Sequence, residues 1–261
     1  MMELWNGDCL ELMSNIPDGS VDMVLCDLPY GTTACKWDSV IPFEPLWDQY
    51  RRIVKETSPI VLFSQQPFTS ALIMSNVEMY KYSWIWQKDN ASNFLLAGHQ
   101  PLKINEDVCV FGFGATTNSS RGVYLTYNPQ KEHGFRPYAQ SSGRQRGDTS
   151  IMRGNKKAAS GGWVTTSDGD RFPKNILVFN RDKERLHPTQ KPVALLEYLI
   201  RTYTKDGDLV LDNTMGSGST GVACVNTGRD FIGIELDKGY YDTACARIAA
   251  AQAERDGRLF K

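Results

Sequence analysis

Two stretches of this 261-residue chain carry residue types at spacings that can do chemistry. The first is Val21-Asp-Met-Val-Leu-Cys-Asp27-Leu28-Pro29-Tyr30-Gly31, an apolar run stopped by an acid and a turn of proline and an aromatic. A carboxylate at the carboxyl end of a strand, next to an aromatic ring, is placed to grip the polar atoms of a ligand. A plain strand-ending turn has the same composition, because proline and glycine punctuate chains everywhere.

The second stretch runs Leu209-Val-Leu-Asp212-Asn213-Thr-Met215-Gly216-Ser-Gly218-Ser-Thr-Gly221 and continues into a helix of small residues. Gly216, Gly218 and Gly221 fit G-x-G-x-x-G, and Glu235 follows Gly216 by 19 residues at the end of the next predicted strand. Strand, glycine turn, helix and a following acid together imply a nucleoside cofactor whose ribose hydroxyls the acid accepts. Glycines alone would also serve a tight turn that packs a helix on a strand. Asp212, immediately before the loop, sets like charge against a pyrophosphate and suits a ligand bearing an ammonium group. S-adenosylmethionine is such a ligand, with an ammonium, a cationic sulfonium and no phosphate.

Apolar runs ending in turn signals predict strands at Glu3 to Asn6, Val21 to Cys26, Pro59 to Phe63, Tyr82 to Gln87, Glu106 to Phe111, Leu209 to Leu211 and Phe231 to Ile234. Helical spacing appears in Phe43 to Lys55, Val193 to Tyr203, Gly221 to Asn226 and Tyr240 to Ala250. This alternation predicts an α/β fold, a mostly parallel sheet with helices on both faces. Between Gly112 and Arg171 the pattern breaks, and ten of the 22 glycines fall there. That segment reads as an insertion with its own contacts, since a structureless loop of this length is uncommon inside a compact domain.

With 41% hydrophobic and 23% charged residues, the composition excludes a collagenous repeat, a coiled coil and wholesale disorder. No apolar run approaches the roughly 18 residues of a membrane span, and Met1 to Asp8 carry acids instead of a basic, greasy leader, so a cytoplasmic protein without membrane contact is expected. Six cysteines without a CxxC pair argue against a disulfide scaffold and a zinc module, and no metal is expected.

The formal charge of -1 hides an asymmetry. Residues 121–191 hold fourteen Lys or Arg against six Asp or Glu, and the rest of the chain fifteen against twenty-four. Arg121, Lys131, Arg136, Arg144, Arg146, Arg153, Lys156, Lys157 and Arg171 are interleaved with Tyr124, Tyr127, Phe135, Tyr138 and Trp163. Basic side chains mixed with aromatics can supply both phosphate and base contacts, which points to nucleic acid, although a solvated polar face is the usual fate of a charge run.

Asp27-Leu-Pro-Tyr30 resembles the D-P-P-Y motif of the DNA amino-methyltransferases, the glycine loop resembles their cofactor motif, and His187-Pro-Thr-Gln-Lys191-Pro192 resembles the segment that precedes it. The order, catalytic motif first and cofactor loop last, is that of the family's β class. The resemblance spans the chain apart from Gly112 to Arg171, and Leu28 departs from it by standing where a proline is usual.

The resemblance implies a Rossmann-like, seven-stranded methyltransferase sheet in circularly permuted order. Residues 1–111 and 172–261 would form the S-adenosylmethionine-dependent catalytic domain, and 112–171 the target recognition region. In the family the motif's acid and the next backbone carbonyl accept both hydrogens of the target amine. These roles fall to Asp27 and Leu28, with Pro29 completing the turn and Tyr30 stacking on the extruded base. The cofactor would lie among Asp8, Cys9, Asp212, Asn213, Met215, Gly216, Gly218, Glu235 and Leu236, joined by His187, Thr189 and Lys191. Asp8, expected beside the adenine, reads equally well as a helix N-cap. Arg121, Lys131, Arg136, Arg144, Arg146, Arg153, Lys156 and Lys157 would hold double-stranded DNA.

The implied reaction is methylation of adenine N6. Asp27 favours adenine, because members acting on cytosine N4 more often carry serine at that position. A nicotinamide oxidoreductase and a non-catalytic DNA-binding module remain open from the glycine fingerprint and the basic insertion. A second copy of the chain and a separate restriction endonuclease are further partners compatible with the family.

Overall fold

The computed structural model describes residues 1–31, 39–117, 122–142, 163–182 and 190–259. In chain order the elements are β1 (Met2–Asn6), α1 (Cys9–Leu12), β2 (Met23–Asp27), α2 (Phe43–Ile53), β3 (Ile60–Ser64), α3 (Phe68–Ser75), β4 (Tyr80–Ser92) and β5 (Lys103–Phe111). After them come β6 (Tyr138–Ser142), β7 (Trp163–Ser167), β8 (Ile176–Val178), α4 (Val193–Tyr203), β9 (Leu209–Asp212), α5 (Ser219–Thr227), β10 (Asp230–Glu235) and α6 (Lys238–Leu259).

Eight strands form one sheet in the order β1-β10-β9-β2-β3-β5-β4-β8. Every pairing is parallel except those of β5, which runs against β3 and β4. All seven strands expected from the sequence are present. An eighth, β8, extends the sheet beyond β4. Strands β6 and β7 pair with each other as a separate antiparallel ribbon within the segment read as an insertion.

Consecutive residues of the central strands enter opposite cores, because side chains alternate across a strand. Met23 and Leu25 of β2, with Val61 and Phe63 of β3, pack under α4, α5 and α6. Val24 and Cys26, with Ile60 and Leu62, pack under α1, α2 and α3. Both faces are therefore covered, as a parallel sheet requires. Helix α2 buries Leu46, Trp47, Tyr50 and Ile53, one stripe at helical spacing. Leu125 inserts into the first core, so part of the segment between β5 and β6 is fastened to the body of the molecule.

The connection from β9 through α5 to β10 crosses one face, and that from β2 through α2 to β3 crosses the other. Neighbouring β9 and β2 thus part company at their carboxyl ends, opening a crevice at the switch point where α/β sheets bind ligands. No helix among the described residues is long and apolar enough to cross a membrane.

Candidate active site

One wall of the crevice is the glycine loop. Strand β9 stops at Asp212, and the chain turns through Gly216 and Gly218 with φ of 54° and 80° before entering α5. Both values lie in the left-handed region that glycine occupies without a Cβ penalty. Gly221 serves a different end: a Cβ there would stand 2.3 Å from Ile248 Cδ1 and 2.9 Å from Phe231 Cε1, so its bareness lets α6 lie against α5. Gly221→Ala is therefore expected to overpack this contact by about 1–3 kcal/mol. Thermal denaturation would register it as a fall of several degrees, and an unchanged midpoint would show that α6 simply shifts.

Glu235, at the end of β10, ties the loop from below. Its two carboxylate oxygens accept the N–H of Gly216 at 2.9 Å and of Asp237 at 2.8 Å. Burial pushes its carboxyl above the usual range, against the pull of these backbone donors. Asp212 is 4% exposed and accepts from Thr220 Oγ1 at 2.6 Å and Thr214 N at 3.1 Å. Burial outweighs those bonds and holds its carboxyl up to about 7. The next residue, Asn213, is fixed by the Tyr50 hydroxyl, which donates to its Oδ1 at 2.6 Å.

The other wall is the end of β2. Thr214 bridges the two walls: its hydroxyl donates to the Asp27 carbonyl at 2.9 Å and lies 2.9 Å from Cys26 Sγ. The Asp27 carboxylate accepts from the Tyr30 hydroxyl at 2.7 Å on Oδ1 and from Lys191 Nζ at 2.5 Å on Oδ2. Burial raises the Asp27 carboxyl, and Lys191 opposes the rise. Burial likewise works against the Lys191 ammonium, but Asp27 and Glu106 outweigh it and hold the proton there. The Tyr30 ring stacks on Phe68 at 5.0 Å, and Phe68 meets Phe43 at 5.7 Å. Leu28 explains its departure from proline: its side chain is 3% exposed and anchors the turn in the core beneath.

These walls enclose a cavity of about 350 Å³, the size of a small-molecule site. Asp8, Cys9, Asp27, Leu28, Pro29, Tyr30, Lys191, Asp212, Asn213, Met215, Gly216, Glu235 and Leu236 all line it. Gly218 does not; it packs on Ala244 behind the loop. Asp8 is also the N-cap of α1, accepting from Leu10 N at 2.7 Å, so both readings of that residue describe it. His187 and Thr189 lie outside the described residues, as do Arg121, Arg144, Arg146, Arg153, Lys156 and Lys157. Of the basic set, Lys131 and Arg136 are described and exposed; Lys131 faces Asp170 at 3.7 Å.

Sequence reasoning passed over Glu106 and Lys88, which share a salt bridge, and Glu106 lies 3.2 Å from Lys191. Because β5 is reversed, its beginning, with Glu106, reaches the carboxyl ends of its parallel neighbours. A pair of acids, Glu106 and Asp107, at the mouth of the apolar run Val108 to Phe111 was the one available signal. Tyr50 and Thr214 carried none.

The fold is shared with DNA methyltransferases. The crystal structure of the M1.HpyAVI–SAM complex superposes with a TM-score of 0.61 at 23% identity, covering 95% of this chain and 100% of that one. PvuII DNA methyltransferase, described as cytosine-N4-specific, superposes with a TM-score of 0.65 at 14% identity, covering 97% of this chain and 92% of that one. The family model described as DNA methylase, that of the N6/N4 methyltransferases, matches residues 21–246. The chain belongs to this family of DNA methylases. A relative in Escherichia coli (strain K12), named putative methylase YubD, is 26% identical over 260 residues, covering 97% of this chain and 92% of its own.

Proposed function

We propose that this DNA methylase transfers a methyl group from S-adenosylmethionine to the exocyclic N6 of an adenine turned out of duplex DNA. The observation that carries the reading is the single cavity in which Asp27, Leu28 and Tyr30 face the glycine loop, Asp212 and Glu235. The donor set fits this cofactor: a buried carboxyl at Asp212 for a cationic ligand, a carboxylate at Glu235 for ribose hydroxyls, and no basic residue in the glycine loop for a phosphate.

When bound, S-adenosylmethionine supplies an electrophilic methyl on a sulfonium. The chain's own part is to prepare the nucleophile. An adenine amine is weakly nucleophilic because its lone pair is shared with the ring, so acceptors that hold both hydrogens favour the pyramidal nitrogen of the transition state. Asp27 and the Leu28 carbonyl are these acceptors, and Asp27 takes the proton that the amine loses as the new N–C bond forms. Extruding the base from the stack costs a few kcal/mol. Tyr30, backed by Phe68 and tethered to Asp27, offers a rigid face for it. Phosphate contacts from the basic segment 112–171, including Lys131 and Arg136, help offset that cost.

The test is incubation of the protein and duplex DNA with methyl-labelled S-adenosylmethionine, then mass spectrometry of the product nucleosides. Labelled N6-methyladenine is the expected product. Labelled N4-methylcytosine would move the assignment to the chemistry that PvuII DNA methyltransferase is described as performing. Absence of label in a folded, cofactor-bound protein would refute both.

Asp212 adds a pH dependence. Only its ionised form attracts an ammonium, and with its carboxyl held up to about 7 the ionised fraction shrinks as the pH falls below that value. Affinity for S-adenosylmethionine should then weaken by up to about tenfold per unit on the acid side. Calorimetric titration between about pH 6 and about pH 8 checks this, with Asp212→Asn expected to bind weakly and without the slope.

A further inference from the structure

Four charged side chains alternate in sign along one face of the sheet, Lys88, Glu106, Lys191 and Asp27, and only Asp27 belongs to the chemistry described so far. Their exposures are 13%, 12%, 6% and 20%, so their charges are sustained by neighbours more than by water. Lys191 is the centre of the row. Its Nζ bonds Asp27 Oδ2 at 2.5 Å. It lies 3.2 Å from Glu106 Oε2, a buried oxygen with no hydrogen bond among the described residues. The shorter contact is therefore the one to Asp27, and Glu106 holds Lys191 from the other side as an ion-pair partner. The Phe63 ring, 5.2 Å from Nζ, closes off water beneath.

The geometry assigns Lys191 the part of a positioning residue: it keeps Asp27 ionised and its carboxylate oriented at the rim of the cavity, while Glu106, braced by Lys88, holds Lys191 in place. The assignment rests on the reading of Asp27 as acceptor of the target amine. It differs from the cofactor contact that the family resemblance gives Lys191. The groups facing Asp27 make the need plain. Glu106 on β5 and Asp212 on β9 disfavour a negative charge there, Cys26 on its own strand is a neutral thiol because burial pushes it up, and Tyr30 offers only a neutral hydroxyl. Without Lys191, burial and Glu106 would push this carboxyl further toward its protonated form, which loses an acceptor.

Lys191→Met removes the charge and keeps an unbranched apolar stem. In single-turnover methylation measured across pH, the limb that reports Asp27 ionisation should move up by about two units. On the acid side of that limb the rate then drops by up to about a hundredfold and recovers in alkali, with affinity for S-adenosylmethionine unchanged. Glu106→Gln removes a like charge and should move the limb the other way. A K191M rate depressed equally at every pH overturns the assignment. So does lost cofactor affinity with the limb in place, which would return Lys191 to the cofactor. If K191M does not fold, the direction of the E106Q shift decides.

Carboxyl-carbon NMR of aspartate-labelled protein, without DNA or cofactor, reads the Asp27 titration directly. K191M must raise it, and an unmoved midpoint overturns the proposal. Because this measurement needs no turnover, it separates failure of the Lys191 assignment from failure of the adenine reading, which would appear as unmethylated adenine in the wild-type product.

Discussion

Replacing Asp27 by alanine is expected to lower single-turnover methyl transfer by about a thousandfold or more, the scale of losing a group aimed at the transition state. Affinity for S-adenosylmethionine should be retained. Asp27 sits across the cavity from the glycine loop, and its bonds run to Tyr30 and Lys191 instead of to the loop's side chains. The link between the two walls is the Asp27 backbone carbonyl, which accepts from Thr214 and survives the substitution. Lys191 keeps Glu106 as a partner, so a folded protein is expected. Rapid-quench methylation and calorimetric cofactor titration on the same preparation test the separation. Equal loss of both activities would contradict the division of roles.

Glu235→Ala should produce the opposite pattern. The carboxylate accepts two backbone N–H groups that shape the glycine loop, and it lines the cavity. Losing a charged acceptor there amounts to about 1.5–3 kcal/mol, or roughly a tenfold to hundredfold weaker cofactor affinity. At saturating S-adenosylmethionine the chemical step should be nearly normal, since nothing in Glu235 reaches the Asp27 carboxylate. Glu235→Gln, which keeps one acceptor oxygen, should fall between. A Glu235→Ala protein that binds the cofactor normally but turns over slowly would exchange the assigned roles of the two acids.

Much of this is legible in the sequence. Strands β2, β3, β9 and β10 carry nearly continuous apolar runs with sharp stops because they are buried on both faces, while β1, β4 and β5 showed as shorter apolar stretches mixed with polar residues. The glycine loop and the Asp27 turn were visible because each needs residues that little else can replace. Helix α3 was missed because Phe68, Ala71, Leu72, Ile73 and Met74 ring it with apolar groups and leave no stripe. Strand β8 was missed because three residues give too little alternation, and its place is set by pairing with β4. The Glu106–Lys191–Asp27 contact joins residues far apart in the chain. It exists only because β5 turns back, and no spacing rule encodes that reversal.

The glycine-loop cavity also makes the molecule less heat-resistant than its cores would allow. Burial raises the carboxyls of Asp27, Asp212 and Glu235. Each therefore holds its proton more tightly in the folded chain than in the unfolded one. As the pH climbs through the window above the ordinary carboxylate range, up to about 7 for Asp212, folding becomes steadily less favourable. A cationic ligand offsets that penalty by ion pairing. Selection for thermal tolerance alone would accordingly erode these acids first, and survivors would trade methylating power for durability.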